Sequence, residues 1–327
     1  MNLKENDLIR VIAPSRSMVI LSDEVCNIAN ETLNSIGLAV SLGNNVMETN
    51  PYYVAGSISK RVEDIHNAFK DPNVKCILTA IGGYNINQIL PYLDYELIKN
   101  NPKILCGYSD ITALLVAIYA KTGMITFHGP HYSTFGMKLG NEYTINYFKK
   151  MFLENEEINI VSADEYSDEA WYLNQDKRNF IKNEGMKVIN EGSGKGNIIG
   201  GNLCTLNLLQ GTEYFPKLNE DIILFLEDDE ESLDNFILEF DRNLVSLMQT
   251  EMFKRVKGLV LGRCQNASEM TDEKWELLLN KPELKNIPII INADFGHTTP
   301  MFTFPIGGEC SLNAKQKKIE LKIGKRY

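Results

Sequence analysis

The sequence predicts an α/β protein of two domains, the first built on a mostly parallel sheet flanked by helices. Three observations carry that reading. Strand-like and helix-like stretches alternate through the first half of the chain, so successive strands are joined by helical crossovers and run in parallel. A polar stretch without apolar periodicity, 154–196, interrupts the pattern. A second set of apolar-patterned stretches begins at Ile198. With 327 residues, 44% of them hydrophobic, the chain can bury a large core or two ordinary ones. The expected boundaries are 1–153 for the first domain, 154–196 for a linker carrying a loop, and 197–327 for the second domain.

The elements follow in order. Leu8 to Ala13 is an apolar run stopped by Pro14-Ser15, and residues 22–36 carry helical periodicity up to Gly37. Leu38 to Leu42 is a second strand and residues 58–70 a second helix. Val74 to Ile81 is a β-branched strand ending at Gly82-Gly83, followed by a short helix over 86–92. Residues 103–107 form a strand, 110–122 a helix, and Met124 to Phe127 a further strand. In such sheets, sites lie beyond the carboxyl ends of the strands. Gly82-Gly83 and Ser109 both sit at such ends.

Within 154–196, Gly192-Ser193-Gly194-Lys195-Gly196 closes the polar stretch, and its composition suits a functional loop. Trp171 and Tyr172 lie inside it. The indole either packs on the domain surface or offers a stacking face to a ligand. Beyond it, Ile222 to Leu226 is a buried strand leading into Glu227-Asp228-Asp229-Glu230-Glu231. Helices are expected at 232–249 and 272–280, and strands at Gly258 to Leu261 and Ile287 to Ile291. The last strand enters Asn292-Ala293-Asp294-Phe295-Gly296-His297. The alternating Lys318-Ile319-Glu320-Leu321-Lys322-Ile323 reads as an antiparallel edge strand.

Composition narrows the function classes. A net charge of −10 argues against nucleic acid or an anionic membrane as the main partner. No apolar run approaches the ~20 residues of a membrane span, and the start Met1-Asn2-Leu3-Lys4-Glu5-Asn6-Asp7 lacks an apolar signal segment. The chain reads as cytoplasmic. Its six cysteines include no C-x-x-C pair, and Cys76, Cys106 and Cys204 lie in apolar stretches, so reduced, buried thiols are expected. The four histidines form no metal-binding pattern, and neither a metal nor another cofactor is expected.

Lys103 to Leu115 reads as strand, glycine turn and helix, with Ser109 at the joint. A serine there exposes its hydroxyl beside the N–H groups of a helix N-terminus, as a nucleophile requires. Ile111 stands where the usual Gly-x-Ser-x-Gly elbow has its second glycine, and a plain helix cap has the same local sequence. Glu227 and His297 also follow apolar strands. Singly, Glu227 is a solvated acid at a helix start and His297 a loop histidine. Jointly, the three are the residue types of a Ser–His–Glu triad, in which imidazole takes the serine proton and the carboxylate orients it. Cys106, three residues before Ser109, would make a rival cysteine enzyme, and a non-catalytic binding protein is a rival of another class.

Cys106-Gly107-Tyr108-Ser109-Asp110-Ile111-Thr112-Ala113-Leu114 resembles the nucleophile segment of the LD-carboxypeptidase family of serine peptidases. Four more segments agree in order: Ala80-Ile81-Gly82-Gly83 with Leu90-Pro91-Tyr92-Leu93-Asp94; His128-Gly129-Pro130; Gly200-Gly201-Asn202-Leu203 with Gly211-Thr212; and Leu224-Phe225-Leu226-Glu227-Asp228 with Phe295-Gly296-His297. The insert carrying Trp171 and the run from Gly211 to Pro216 are similar to the MccF-like branch, the peptidases of microcin C immunity. The resemblance implies Ser109 as nucleophile, His297 as general base and acid, and Glu227 as orienting carboxylate. It implies an oxyanion hole from the backbone N–H groups of Gly83 and Asp110, with Asn202 and Trp171 on the substrate side. It further implies a flavodoxin-like or glutamine-amidotransferase-like first domain, a smaller C-terminal β/α domain, a site at their interface and a homodimer. The expected substrate is a peptidyl- or aminoacyl-nucleotide of the microcin C type, or else a murein tetrapeptide with an L–D bond.

Overall fold

The computed structural model describes residues 2–51, 55–154, 157–316 and 318–324; the outer ends of both expected domains, residues 1 and 327, fall outside these. The first half alternates β1 (Leu8–Ile12), α1 (Asp23–Ser35), β2 (Ala39–Leu42), α2 (Ile58–Lys70), β3 (Val74–Thr79), α3 (Tyr95–Asn100), β4 (Ile104–Gly107), α4 (Thr112–Thr122), β5 (Thr126–His128) and α5 (Glu142–Phe152). Its five strands are parallel in the order β2-β1-β3-β4-β5, a doubly wound arrangement whose order reverses between β1 and β3. Local chemistry sets the helix starts. Ser22 and Ser57 accept hydrogen bonds from Val25 N and Lys60 N and cap α1 and α2. Helix α4 is apolar all round because it is enclosed: Thr112 to Ile118 are all buried.

The second half contributes β6 (Ile158–Ile160), β7 (Glu165–Tyr166), β8 (Ile181–Lys182), β9 (Lys187–Asn190), β10 (Gly192–Asn202), α6 (Leu203–Asn207), β11 (Ile222–Glu227), α7 (Phe236–Met248), β12 (Val256–Gly262), α8 (Asp272–Leu279), β13 (Ile289–Ala293), β14 (Phe304–Ile306), β15 (Glu309–Lys315) and β16 (Lys318–Ile323). Its sheet runs β6-β16-β15-β10-β11-β12-β13-β9. The central strands β10 to β13 are parallel, and antiparallel strands flank them on both sides.

Three expectations change. The segment 154–196 is not simply a linker: it supplies β6, β9 and the start of β10 to the second sheet. The glycines that read as loop are there because the backbones crowd. A Cβ on Gly194 would lie 2.1 Å from the Lys257 carbonyl oxygen, and one on Gly196 would lie 2.4 Å from that of Asp221. The strand over 318–323 is not an edge, since β6 pairs with its free side. Nor does the stretch 197–327 stay in the second sheet. Strand β14 crosses back and pairs antiparallel with β5, Phe304 opposite His128.

That crossing joins the two units. Phe304 packs against Phe225 of β11 (4.8 Å between ring centroids), Phe295 (5.2 Å) and the ring of His128 (4.5 Å), and all four side chains are fully buried. Truncation there removes contacts from both sheets at once. Phe304→Ala should lower the unfolding free energy by roughly 3–5 kcal/mol, read as a lowered urea midpoint; an unchanged midpoint would show that β14 does not tie the units together.

Candidate active site

Ser109 follows the end of β4 with φ +60°, a left-handed conformation that costs a residue with a Cβ ~1–2 kcal/mol. The chain then turns through a 3₁₀ turn over Ser109–Ile111 straight into α4. The sharp turn lifts the hydroxyl off the carboxyl edge of the sheet, beside the N-terminus of an enclosed helix. The glycine turn after β3 approaches from the side. A Cβ on Gly82 would lie 3.0 Å from Ser109 Cβ and 3.2 Å from its Oγ, so any larger residue there would press on the hydroxyl.

Glu227 is the last residue of β11 and is buried. His297 lies in the loop after β13. Its Nδ1 is 2.7 Å from Glu227 Oε2 and its Nε2 is 3.0 Å from Ser109 Oγ. The carboxylate fixes the tautomer: Nδ1–H donates to Glu227, leaving the Nε2 lone pair to accept from the serine hydroxyl. Gly296 makes room for this, with φ +103° and a site where a Cβ would stand 2.7 Å from Glu227 Oε2. Three strand ends from two sheets thus form one hydrogen-bonded line across the seam.

The electrostatics favour proton transfer along that line. Burial raises a carboxyl pKa, yet His297 and His128 beside it hold Glu227 well below the ordinary range. Burial likewise opposes a charged imidazole, but the Glu227 charge and hydrogen bond, with Asp229 and Asp228 behind them, hold His297 above its ordinary value. The arrangement can strip a proton from Ser109 and stabilise the imidazolium that results. Around it stand aromatic rings. Tyr108 meets His297 edge-on (5.5 Å) and stacks on His131 (4.2 Å), whose Nδ1 is 2.7 Å from Thr79 Oγ1. His128 Nε2 stands 4.0 Å from the other carboxylate oxygen of Glu227. Burial pushes both His128 and His131 below the ordinary imidazole pKa. Sequence reasoning assigned no task to these two. The available signal was their place at the end of β5, the same sheet edge that carries Ser109.

The remaining expected residues occupy varied positions. Asp110 directly follows Ser109, and Gly83 directly follows Gly82. Asn202 ends β10 in register with Glu227. Its Oδ1 caps α6 by accepting from Thr205 N, and its Nδ2 donates to Asp228 Oδ1. Trp171 is half-buried in a 3₁₀ turn and packs edge-on against Tyr172. Its segment is pinned to the His297 loop, because Ser167 and Thr299 exchange backbone hydrogen bonds of 2.8 Å. Asp294, three residues before His297, accepts from Ala163 N (2.9 Å), Asn183 Nδ2 (3.0 Å) and Arg263 Nη2 (3.1 Å). Cys106 is fully buried inside β4, and burial holds its thiol well above the ordinary pKa, the opposite of an activated nucleophile. Cys204 corrects an expectation: it is exposed on α6, because α6 turns that position outward. Among the described residues, no group of three or more His, Cys, Asp or Glu side chains is placed to hold a metal ion.

Gly296→Ala should displace the Glu227 carboxylate and break the line. The downfield proton resonance expected for His297 Nδ1–H in the wild type should vanish in the variant; its survival would mean that the loop absorbs a side chain without moving Glu227.

Residues 9–129 match the family model described as the LD-carboxypeptidase N-terminal domain, and residues 195–312 match the C-terminal domain. The Bacillus subtilis protein YocD is 50% identical over 313 residues, covering 95% of each chain. The crystal structure of an MccF-like protein from Bacillus anthracis superposes with a TM-score of 0.97 at 51% identity, covering 99% of this chain and 98% of that one. The microcin C7 self-immunity protein MccF of Escherichia coli is 33% identical, covering 83% of this chain and 80% of that protein. A structure of MccF in complex with aspartyl sulfamoyl adenosine superposes with a TM-score of 0.89 at 30% identity, covering 100% of this chain and 98% of that one. With both domain models matched in order and half the residues shared with a full-length relative, the chain belongs to the LD-carboxypeptidase family of serine peptidases.

Proposed function

We propose that this peptidase hydrolyses the amide of peptidyl- or aminoacyl-nucleotides, with Ser109 as nucleophile, His297 as general base and acid, and Glu227 as orienting carboxylate. The observation that carries the reading is the Glu227–His297–Ser109 line of 2.7 and 3.0 Å. Ser109 Oγ attacks the carbonyl carbon and its proton passes to His297 Nε2. The oxyanion is held by the N–H groups of Gly83 and Asp110. His297 then gives the proton to the leaving nitrogen, the C–N bond breaks, and an acyl-enzyme remains on Ser109. Water, deprotonated by His297, releases the acid and restores the serine.

The nucleotide class is supported by the structure of MccF with aspartyl sulfamoyl adenosine and by the part-exposed indole of Trp171, tethered through Ser167 to the His297 loop. In this reading Trp171 stacks on the base and Asn202 lines the substrate side. A homodimer acting in the cytoplasm belongs to the same reading, and six free cysteines suit a reducing compartment.

A fluorophosphonate should label Ser109, and Ser109→Ala should abolish labelling and lower kcat on the order of 10⁶-fold. Mass spectrometry after incubation with an aminoacyl-sulfamoyl adenosine and an L–D murein tetrapeptide should find the first cleaved. Cleavage of the tetrapeptide alone would replace the nucleotide reading with murein recycling, and a folded protein that neither labels nor cleaves would be a binding protein.

The pH dependence follows from His297, which must be neutral to accept the serine proton. Its raised pKa places the rising limb of kcat/KM above the ordinary imidazole value of ~6.5. Glu227→Gln removes the charge responsible, so the limb should move to lower pH while kcat falls on the order of 10⁴-fold. A limb that stays in place would mean that Glu227 does not set the His297 pKa.

A further inference from the structure

Two chain segments, one after β1 and one after β3, converge on the buried carboxylate of Asp110. Asp110 Oδ2 accepts from Ser15 Oγ at 2.5 Å and from Ile86 N at 2.9 Å. Ser15, just past β1, is fully buried, and its hydroxyl lies hard against the backbone of Gly83: a Cβ on Gly83 would stand 2.2 Å from Ser15 Oγ. Arg61 binds the same segments from the other side. Its Nη1 donates to Pro14 O (3.1 Å) and Asn85 Oδ1 (3.1 Å), and its Nη2 donates to Gln88 Oε1 (3.0 Å). The meeting point is the reversal between β1 and β3, where doubly wound sheets place their ligands.

We propose that Asp110 and Ser15 form a positioning clamp that sets the distance between the two oxyanion donors. Asp110 supplies one donor from its own backbone N–H. Its carboxylate holds Ser15, and Ser15 abuts the glycine that supplies the other. The carboxylate also ties down Ile86, three residues beyond Gly83. Donors in an oxyanion hole work within a few tenths of an ångström of ~2.9 Å, so slack in this contact costs rate and leaves ground-state binding intact. The proposal rests on the serine-hydrolase reading and adds Ser15 and the side chain of Asp110 to its machinery. A purely structural acid at the first turn of a helix would affect stability alone.

The test is the rate of Ser109 phosphonylation by a fluorophosphonate. Oγ bonds to phosphorus, the P–F bond breaks, fluoride leaves, the serine proton passes to His297, and the phosphonyl oxygen occupies the hole. The inactivation constants kinact and KI are measured for wild type, Asp110→Asn, Ser15→Ala and the double variant, with urea midpoints for each. Asp110→Asn should lower kinact roughly 10- to 100-fold with KI unchanged. Ser15→Ala should lower it less, and the double variant should be no slower than Asp110→Asn. The clamp is overturned if either single variant reacts at the wild-type rate, if the two effects multiply, or if KI alone changes. Should Asp110→Asn not fold, Ser15→Ala decides on the same criteria. Wild-type protein that labels elsewhere than Ser109 would refute the hydrolase reading itself, an outcome distinct from a silent clamp.

Discussion

The hydrogen bond between His297 Nε2 and Ser109 Oγ spans two sheets, and much of the architecture serves to hold its length. Ser109 belongs to the carboxyl edge of the first sheet, and His297 and Glu227 belong to that of the second. A 3.0 Å contact between separately built units survives only if the seam is rigid. The chain meets that requirement by returning β14 from its C-terminal part to pair with β5, and by filling the seam with Phe225, Phe295, Phe302 and Phe304. The enclosure of α4, which begins three residues after Ser109, serves the same end.

Polar contacts hold the loops as packing holds the sheets. Thr112 Oγ1, at the start of α4, accepts from Asn202 N (3.0 Å), joining the helix that follows Ser109 to the strand beside Glu227. The Asp294 carboxylate gathers Ala163, Asn183 and Arg263, and the ring of Tyr166 lies under the Arg263 guanidinium at 4.4 Å. The segment bearing Trp171 and the loop bearing His297 therefore share one buried ion pair. A ligand drawn against Trp171 would bear on the loop that carries His297.

Much of this was legible in the sequence wherever the signal is local. Helices α1 and α2 are readable from their helical patterning, the first stopped at Gly37. Strand β3 is readable as an apolar, β-branched run ending in glycines. Ser109, Glu227 and His297 were visible as three chemically matched residues after three apolar strands, and the order of family motifs joined them. What was hidden depends on long-range pairing. The glycines of β10 resemble a loop until the crowding of neighbouring backbones is known, and β14 has only three residues, too short to show a period. Ser15 and Asp110 are 95 residues apart in sequence. His128 acquires meaning only from a glutamate on the other sheet.

The proposed acyl transfer passes through Ser109. Its most direct test is rapid acid quench of the wild-type protein during turnover of an aminoacyl-sulfamoyl adenosine, followed by peptide mass spectrometry. A transient aminoacyl mass is expected on the peptide containing Ser109, rising before free amino acid accumulates. Acid release with that peptide unmodified at every time point, or with the mass on another residue, would contradict it.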